Sequence, residues 1–165
     1  MSALDAAITQ TVAVATPWDA AAGTTIRRDW LSAKAIVETL QDTGFDYNLD
    51  TLVINRRTRD DLLVAPELQT LFTGNYADQN WLIDGKLPAK IWGWDILVSP
   101  NVPIDKAYAV QKNVIGGIAD ERGGLEVSDM FAEPAYEAQR WNVTRASAGF
   151  IDNPQAGVEF TNTET

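Results

Sequence analysis

Apolar residues recur at helical spacing most clearly in TTIRRDWLSAKAIVETLQDTG, residues 24–44. Ile26, Trp30, Ala33, Val37 and Leu40 fall on one side, and Arg27, Arg28, Lys34 and Glu38 fall largely on the other. That pattern predicts an amphipathic helix. Thr24 or Thr25 supplies a start signal and Gly44 a stop. DTLVIN, Asp50 to Asn55, is a short apolar run that predicts a buried strand. Asn55 is placed to cap a following helix from Arg56 to Leu63, ended by Pro66, with a further helical turn or two from Glu67 to Phe72.

From Thr73 to Pro88 the periodicity fades. Gly, Asn, Asp and Pro interrupt TGNYADQNWLIDGKLP, yet Tyr76, Trp81 and Leu82 are large and apolar. A loop carrying such side chains docks on its own domain or on a neighbouring subunit. KIWGWDILVSPNVP then predicts a strand in which Trp92 and Trp94 bury area, while Gly93 lets the chain bend or a neighbour approach. AYAVQK, residues 107–112, continues the strands, and VIGGIADERGG predicts a turn between them. LEVSDMFAEPAYEAQRWNVTRASAGFID alternates weakly, like an extended strand pair, and AGVEFTNTET is a last strand with a polar tail. Helix, strand, helix and strand in succession give a mixed α+β class.

The chain has 165 residues, 45% of them hydrophobic, with six Trp, five Phe and four Tyr, enough for one domain with a substantial core. Its net charge is −10, from 23 acids against 13 cations, which opposes a main role in coating nucleic acid. The basic run RRTR, Arg56 to Arg59, is followed at once by Asp60 and Asp61 and reads as a solvated helix start. There is no cysteine and no histidine. Disulfides, thiolate metal sites and the Ser-His-Asp and Cys-His mechanisms are therefore excluded. The N-terminal stretch lacks the basic and apolar regions of a secretory leader, the NVT sequon at Asn142 carries no weight without one, and no run approaches the ~20 apolar residues that span a membrane.

Candidate chemistry is thin. Asp60 and Asp61 are adjacent on a helix, so their side chains point about 100° apart and form no dyad by themselves. Asp120 and Glu121 fall in an expected turn. VIGGIADERGG lacks the spacing of a phosphate loop, and the acid spacings do not fit a calcium loop. No catalytic residue, cofactor-binding residue or metal ligand is assigned.

Several stretches in order resemble one family. DWLSAKAIVETLQDTGFDYNLDTLVIN, with its short following helix bearing DLL, IWGWDILVSPNVP, AYAVQKNVIGGIADERGGLEVSD and RASAGFIDNPQAGVEFTNT together resemble the C-terminal half of tailed-phage major capsid proteins with the Hong Kong 97-like fold, most like those of actinobacterial phages. The resemblance runs from about Thr24 to Thr163 and rests on order and spacing. It implies residues 1–23 as an N-terminal extension, 24–137 as an axial-like domain, and 138–165 as closing strands of a peripheral-like domain with a polar tail. Family members also carry an N-terminal arm, an extended hairpin loop and a long spine helix, which 23 residues are too few to supply. The resemblance thus implies a fragment of a capsid subunit, a short gene product of a degraded or specialised element, or one half of a split capsid protein.

By that resemblance the function is structural, with no enzyme activity and no cofactor. The chain associates with copies of itself, as pentamers and hexamers, and with other capsid or scaffold proteins, in the virion and in the host cytoplasm during assembly. No sequence-specific nucleic acid and no membrane is implied as partner. The Thr73–Lys86 loop would lie towards the capsomer centre, with Tyr76, Trp81, Leu82 and Lys86 as subunit contacts. The alternatives are an encapsulin-type nanocompartment shell, which shares the fold, and a carboxylate-dependent hydrolase or small ligand-binding domain.

Overall fold

The expected amphipathic helix is present as α1, Ile26–Gln41, and Ile26, Trp30, Ala33 and Val37 are buried along it. The computed structural model describes residues 8–20, 25–41, 44, 46–72, 87–121, 123–133 and 138–165. Thr24 lies outside them. The Thr25 hydroxyl reaches the Asp29 carboxylate at 3.4 Å, and Gly44 sits at φ 92°, a conformation that suits glycine. Strand β2, Thr51–Ile54, is buried along its whole length. Helix α2, Arg56–Val64, begins as expected: the Asn55 side chain accepts a hydrogen bond from the Arg57 amide at 3.1 Å. Helix α3, Pro66–Phe72, takes Pro66 as its first residue, where the missing N–H costs nothing.

The stretch from Lys90 is a hairpin and not one strand. β3, Lys90–Ile91, and β4, Trp94–Val98, are joined by Trp92 at φ 50° and Gly93 at φ 86°. Two successive residues of positive φ make the tight turn that matches strand twist. β5, Lys106–Val110, and β12, Gly157–Thr161, complete the centre of a mixed sheet. Residues 11–13 of the expected extension form its edge as β1, Thr11–Ala13, pairing in parallel with β12. The order is β1-β12-β5-β2-β4-β3, so the closing strand lies in one sheet with residues 51–54 and 106–110.

One core cluster joins α1, Leu62 of α2 and Leu68 of α3 to Leu52, Ile54, Trp94, Ala107, Ala109, Val158 and Phe160 of the sheet. Trp18 enters the same cluster from the N-terminal stretch, with its ring 5.5 Å from that of Phe160. Its indole N–H donates to the buried Asp29 carboxylate at 3.1 Å. A smaller cluster, Ile8, Val53, Val102, Tyr108 and Val110, takes the alternate residues of β2 and β5. Central strands buried on both faces read as continuous apolar runs, which is why β2 and β5 stood out in the sequence.

Two further segments refine the sequence reading. The VIGGIADERGG segment is not simply a turn: Gly116–Asp120 is a strand, β6. Its glycines give way to β11, Ser147–Ile151, since a Cβ on Gly116 would lie 2.1 Å from the Phe150 carbonyl oxygen. The polar C-terminal tail is packed onto the domain. Thr163 and Glu164 are buried, and the Trp18 amide donates to the Thr163 carbonyl at 2.7 Å.

Candidate functional site

Three antiparallel strand pairs follow one another between Gly116 and Ile151 and make a two-stranded ribbon. β6 pairs with β11 over five residues, from Gly116↔Ile151 to Asp120↔Ser147. β7, Glu126–Val127, pairs with β10, Val143–Thr144, and β8, Phe131–Glu133, pairs with β9, Ala138–Arg140. The register passes from Asp120↔Ser147 to Glu126↔Thr144, so the first strand runs longer than the second between these two pairs. Gly123 at φ 73° and Gly124 at φ 131° absorb the extra length, as a bulge requires. Arg145 holds both sides there, donating from Nε and Nη2 to the two Asp120 carboxylate oxygens at 3.0 and 2.9 Å. The Phe150 ring lies over Gly117, 3.3 Å from where a Cβ would stand.

The ribbon carries large apolar side chains that stand exposed among the described residues. Ile118, Leu125, Val127, Met130, Trp141 and Val143 are each more than half exposed. Every residue from Gln139 to Phe150 is exposed, so neither face of that strand is packed. A two-stranded hairpin alone is marginal in water, and apolar groups on both faces are surface awaiting a partner.

A second feature lies where α1 meets the β3–β4 hairpin. The Trp30 and Trp94 rings stack at 5.1 Å with an angle of 2°, and Trp92 meets Trp30 edge-on at 4.9 Å. Lys34 Nζ stands 5.6 Å from the Trp94 ring centroid, a cation over an aromatic face. Together with Arg27 and Leu31 these side chains line a cavity of about 180 Å³.

Phage proteins share this fold. A phage-related protein from Bordetella bronchiseptica RB50 superposes with a TM-score of 0.65 at 12% identity, over 97% of this chain and 59% of its own. A chain of Mycobacterium phage Che8 does so with a TM-score of 0.64 at 15% identity, over 99% of this chain and 57% of its own. The chain therefore spans less than three-fifths of either. No protein-family model matches it, and no curated protein matches it in sequence. At such identity the likeness is one of fold, and the mixed α+β class is what the structure has.

Tyr76, Trp81, Leu82 and Lys86 lie outside the described residues. The adjacent acids take separate partners: Asp60 pairs with Arg59, and Asp120 with Arg145, while Glu121 is exposed. Asp61 instead comes near the tail, beside Asp19 and Glu164. Burial is the main cause that raises the carboxyls of both Asp61 and Glu164; the charge of Asp19 raises both further and that of Asp61 raises Glu164, while a hydrogen bond with Glu164 works to lower Asp61. The Thr58 hydroxyl, itself buried, donates to Glu164 Oε1 at 2.7 Å, and Arg57 Nε stands 3.0 Å from Oε2. The Thr165 amide and hydroxyl donate to Asp19 at 3.3 and 2.7 Å, and the hydroxyl bond is the main cause that lowers its carboxyl. This cluster fastens the tail onto α2. Among the described residues no three acids are placed to hold a metal ion, and no helix is long and apolar enough to cross a membrane.

The sequence signalled the ribbon as a weakly alternating stretch but not its exposure. Of the tryptophan cluster it offered Trp92, Gly93 and Trp94 as a group and Trp30 as a helix-core residue. Only the β3–β4 turn brings them together.

Proposed function

We propose that the chain is a structural domain of a phage shell protein with a Hong Kong 97-like fold, acting by self-association. The observation that carries this reading is the 116–151 ribbon. It leaves large apolar side chains exposed on both faces, in a fold shared with phage proteins. In this reading copies of the chain meet in pentamers and hexamers, with other capsid or scaffold proteins as further partners, in the virion and in the host cytoplasm during assembly. No catalytic step is assigned. The cavity at α1 is lined by tryptophan and cations, which does not suit a carboxylate hydrolase. Tyr76, Trp81, Leu82 and Lys86 are kept as a further subunit contact, and Trp81→Ala is expected to weaken association.

The test is light scattering on the purified chain across concentration, with negative-stain images of each peak. Rings of five or six, or shells, are expected. Trp141→Glu with Val143→Glu, both on exposed ribbon positions, should reduce association while the melting temperature stays within about 2 °C of the parent. A monomer at every concentration overturns the reading.

A further inference from the structure

The tryptophan cavity has three properties that packing alone does not require. Trp92 occupies a turn position at φ 50°, where Asn, Asp or Gly ordinarily stands. Trp30, one of its walls, carries a buried indole N–H with no hydrogen-bond partner among the described residues. Arg27 and Lys34 also line it; the Lys34 ammonium stands over the Trp94 ring and the Arg27 amide donates to Glu67, but neither side chain takes part in an ion pair among the described residues, in a chain where acids outnumber cations 23 to 13. Strained backbone, an unmet donor and two cations without an ion pair converge on about 180 Å³, less than a drug-sized ligand needs and suited to one large side chain.

We infer that this cavity is the acceptor of a subunit contact and that its occupant is the acidic–apolar run Glu126–Phe131 of a second copy. This rests on the self-association reading. The run EVSDMF sets Met130 and Phe131, 61% and 43% exposed, beside the carboxylates of Asp129 and Glu126. A methionine or phenylalanine side chain packs well against indole faces and edges. The adjoining carboxylates meet Arg27 and Lys34, giving orientation and register. Cavity and run are different surfaces of one chain. Their contact is therefore heterologous, the kind that closes into rings.

Sedimentation velocity at low salt tests this with four full-length proteins: the parent, Arg27→Glu with Lys34→Glu, Glu126→Lys with Asp129→Lys, and all four substitutions in one chain. Each double variant should associate at least tenfold more weakly than the parent, and the fourfold variant should return to within about threefold of it. Trp92→Gly, which suits the left-handed backbone, should weaken association without loss of the fold. Double variants that associate like the parent overturn this inference and leave the shell reading standing. Loss in both doubles without recovery in the fourfold variant overturns the pairing of this cavity with this run. A parent that stays monomeric overturns both readings.

Discussion

Glu164 is one residue from the C-terminus, yet its side chain is only 1% exposed. Replacing it separates two ways in which the tail could be held. Glu164→Ala leaves the fully buried Thr58 hydroxyl without its acceptor, which costs about 1–3 kcal/mol. The pairing with Arg57 adds little, because that guanidinium is 58% exposed and such pairs contribute about 0–1 kcal/mol. Removing a buried carboxylate acts in the opposite direction. A net loss of about 1–2 kcal/mol follows, or a melting temperature lower by about 2–8 °C for a chain of this size. Glu164→Gln keeps an oxygen acceptor for Thr58 and carries no charge, so at pH 7 it should melt within about 2 °C of the parent.

The pH dependence follows from the same burial. Glu164 and Asp61 have raised carboxyls, so the folded chain binds their protons more tightly than the unfolded chain. Their contribution is full below the ordinary values of 4.5 and 3.8, and it is lost as pH rises through the raised folded values. Asp19 works the other way: its lowered carboxyl contributes above 3.8, and that share is lost as pH falls. The measurement is thermal unfolding by circular dichroism from pH 4 to pH 8. Parent stability should decline with rising pH more steeply than that of Glu164→Gln. If Glu164→Gln loses as much as Glu164→Ala at pH 7, the carboxylate charge holds the tail and the reasoning is wrong.

Phe160→Ala should cost about 3–5 kcal/mol, because Phe160 is fully buried between the sheet and Trp18; denaturant unfolding gives the value, and a loss under 1 kcal/mol would contradict the packing. Gly116→Ala forces a methyl against the Phe150 carbonyl and should open the base of the ribbon. Hydrogen exchange should show faster exchange at 117–120 with the central sheet unchanged, and unaltered protection there would refute the close approach.

The sequence alone determined the elements whose signals are local. Helix α1 was legible because five apolar residues repeat at its period, α2 because Asn55 caps it, and β2 because a strand buried on both faces is apolar throughout. The α+β class followed from their order. The Thr73–Lys86 contacts remain a proposal, since they lie outside the described residues. Tertiary structure decided the rest, because the forces concerned act between residues far apart in the chain. β1 becomes a strand through pairing with β12, some 148 positions later, and its three residues carry no periodic signal of their own. Thr163 and Glu164 look like a polar tail until Trp18, Thr58 and Arg57 bond to them. Gly116 and Gly117 look like a turn until the backbone and ring of Phe150 occupy the space a side chain would need. Exposure is likewise a property of what packs against a strand, so the same apolar alternation describes a buried pair and an uncovered ribbon. That is why the ribbon and the tryptophan cavity, on which the function is argued, were decided by the fold.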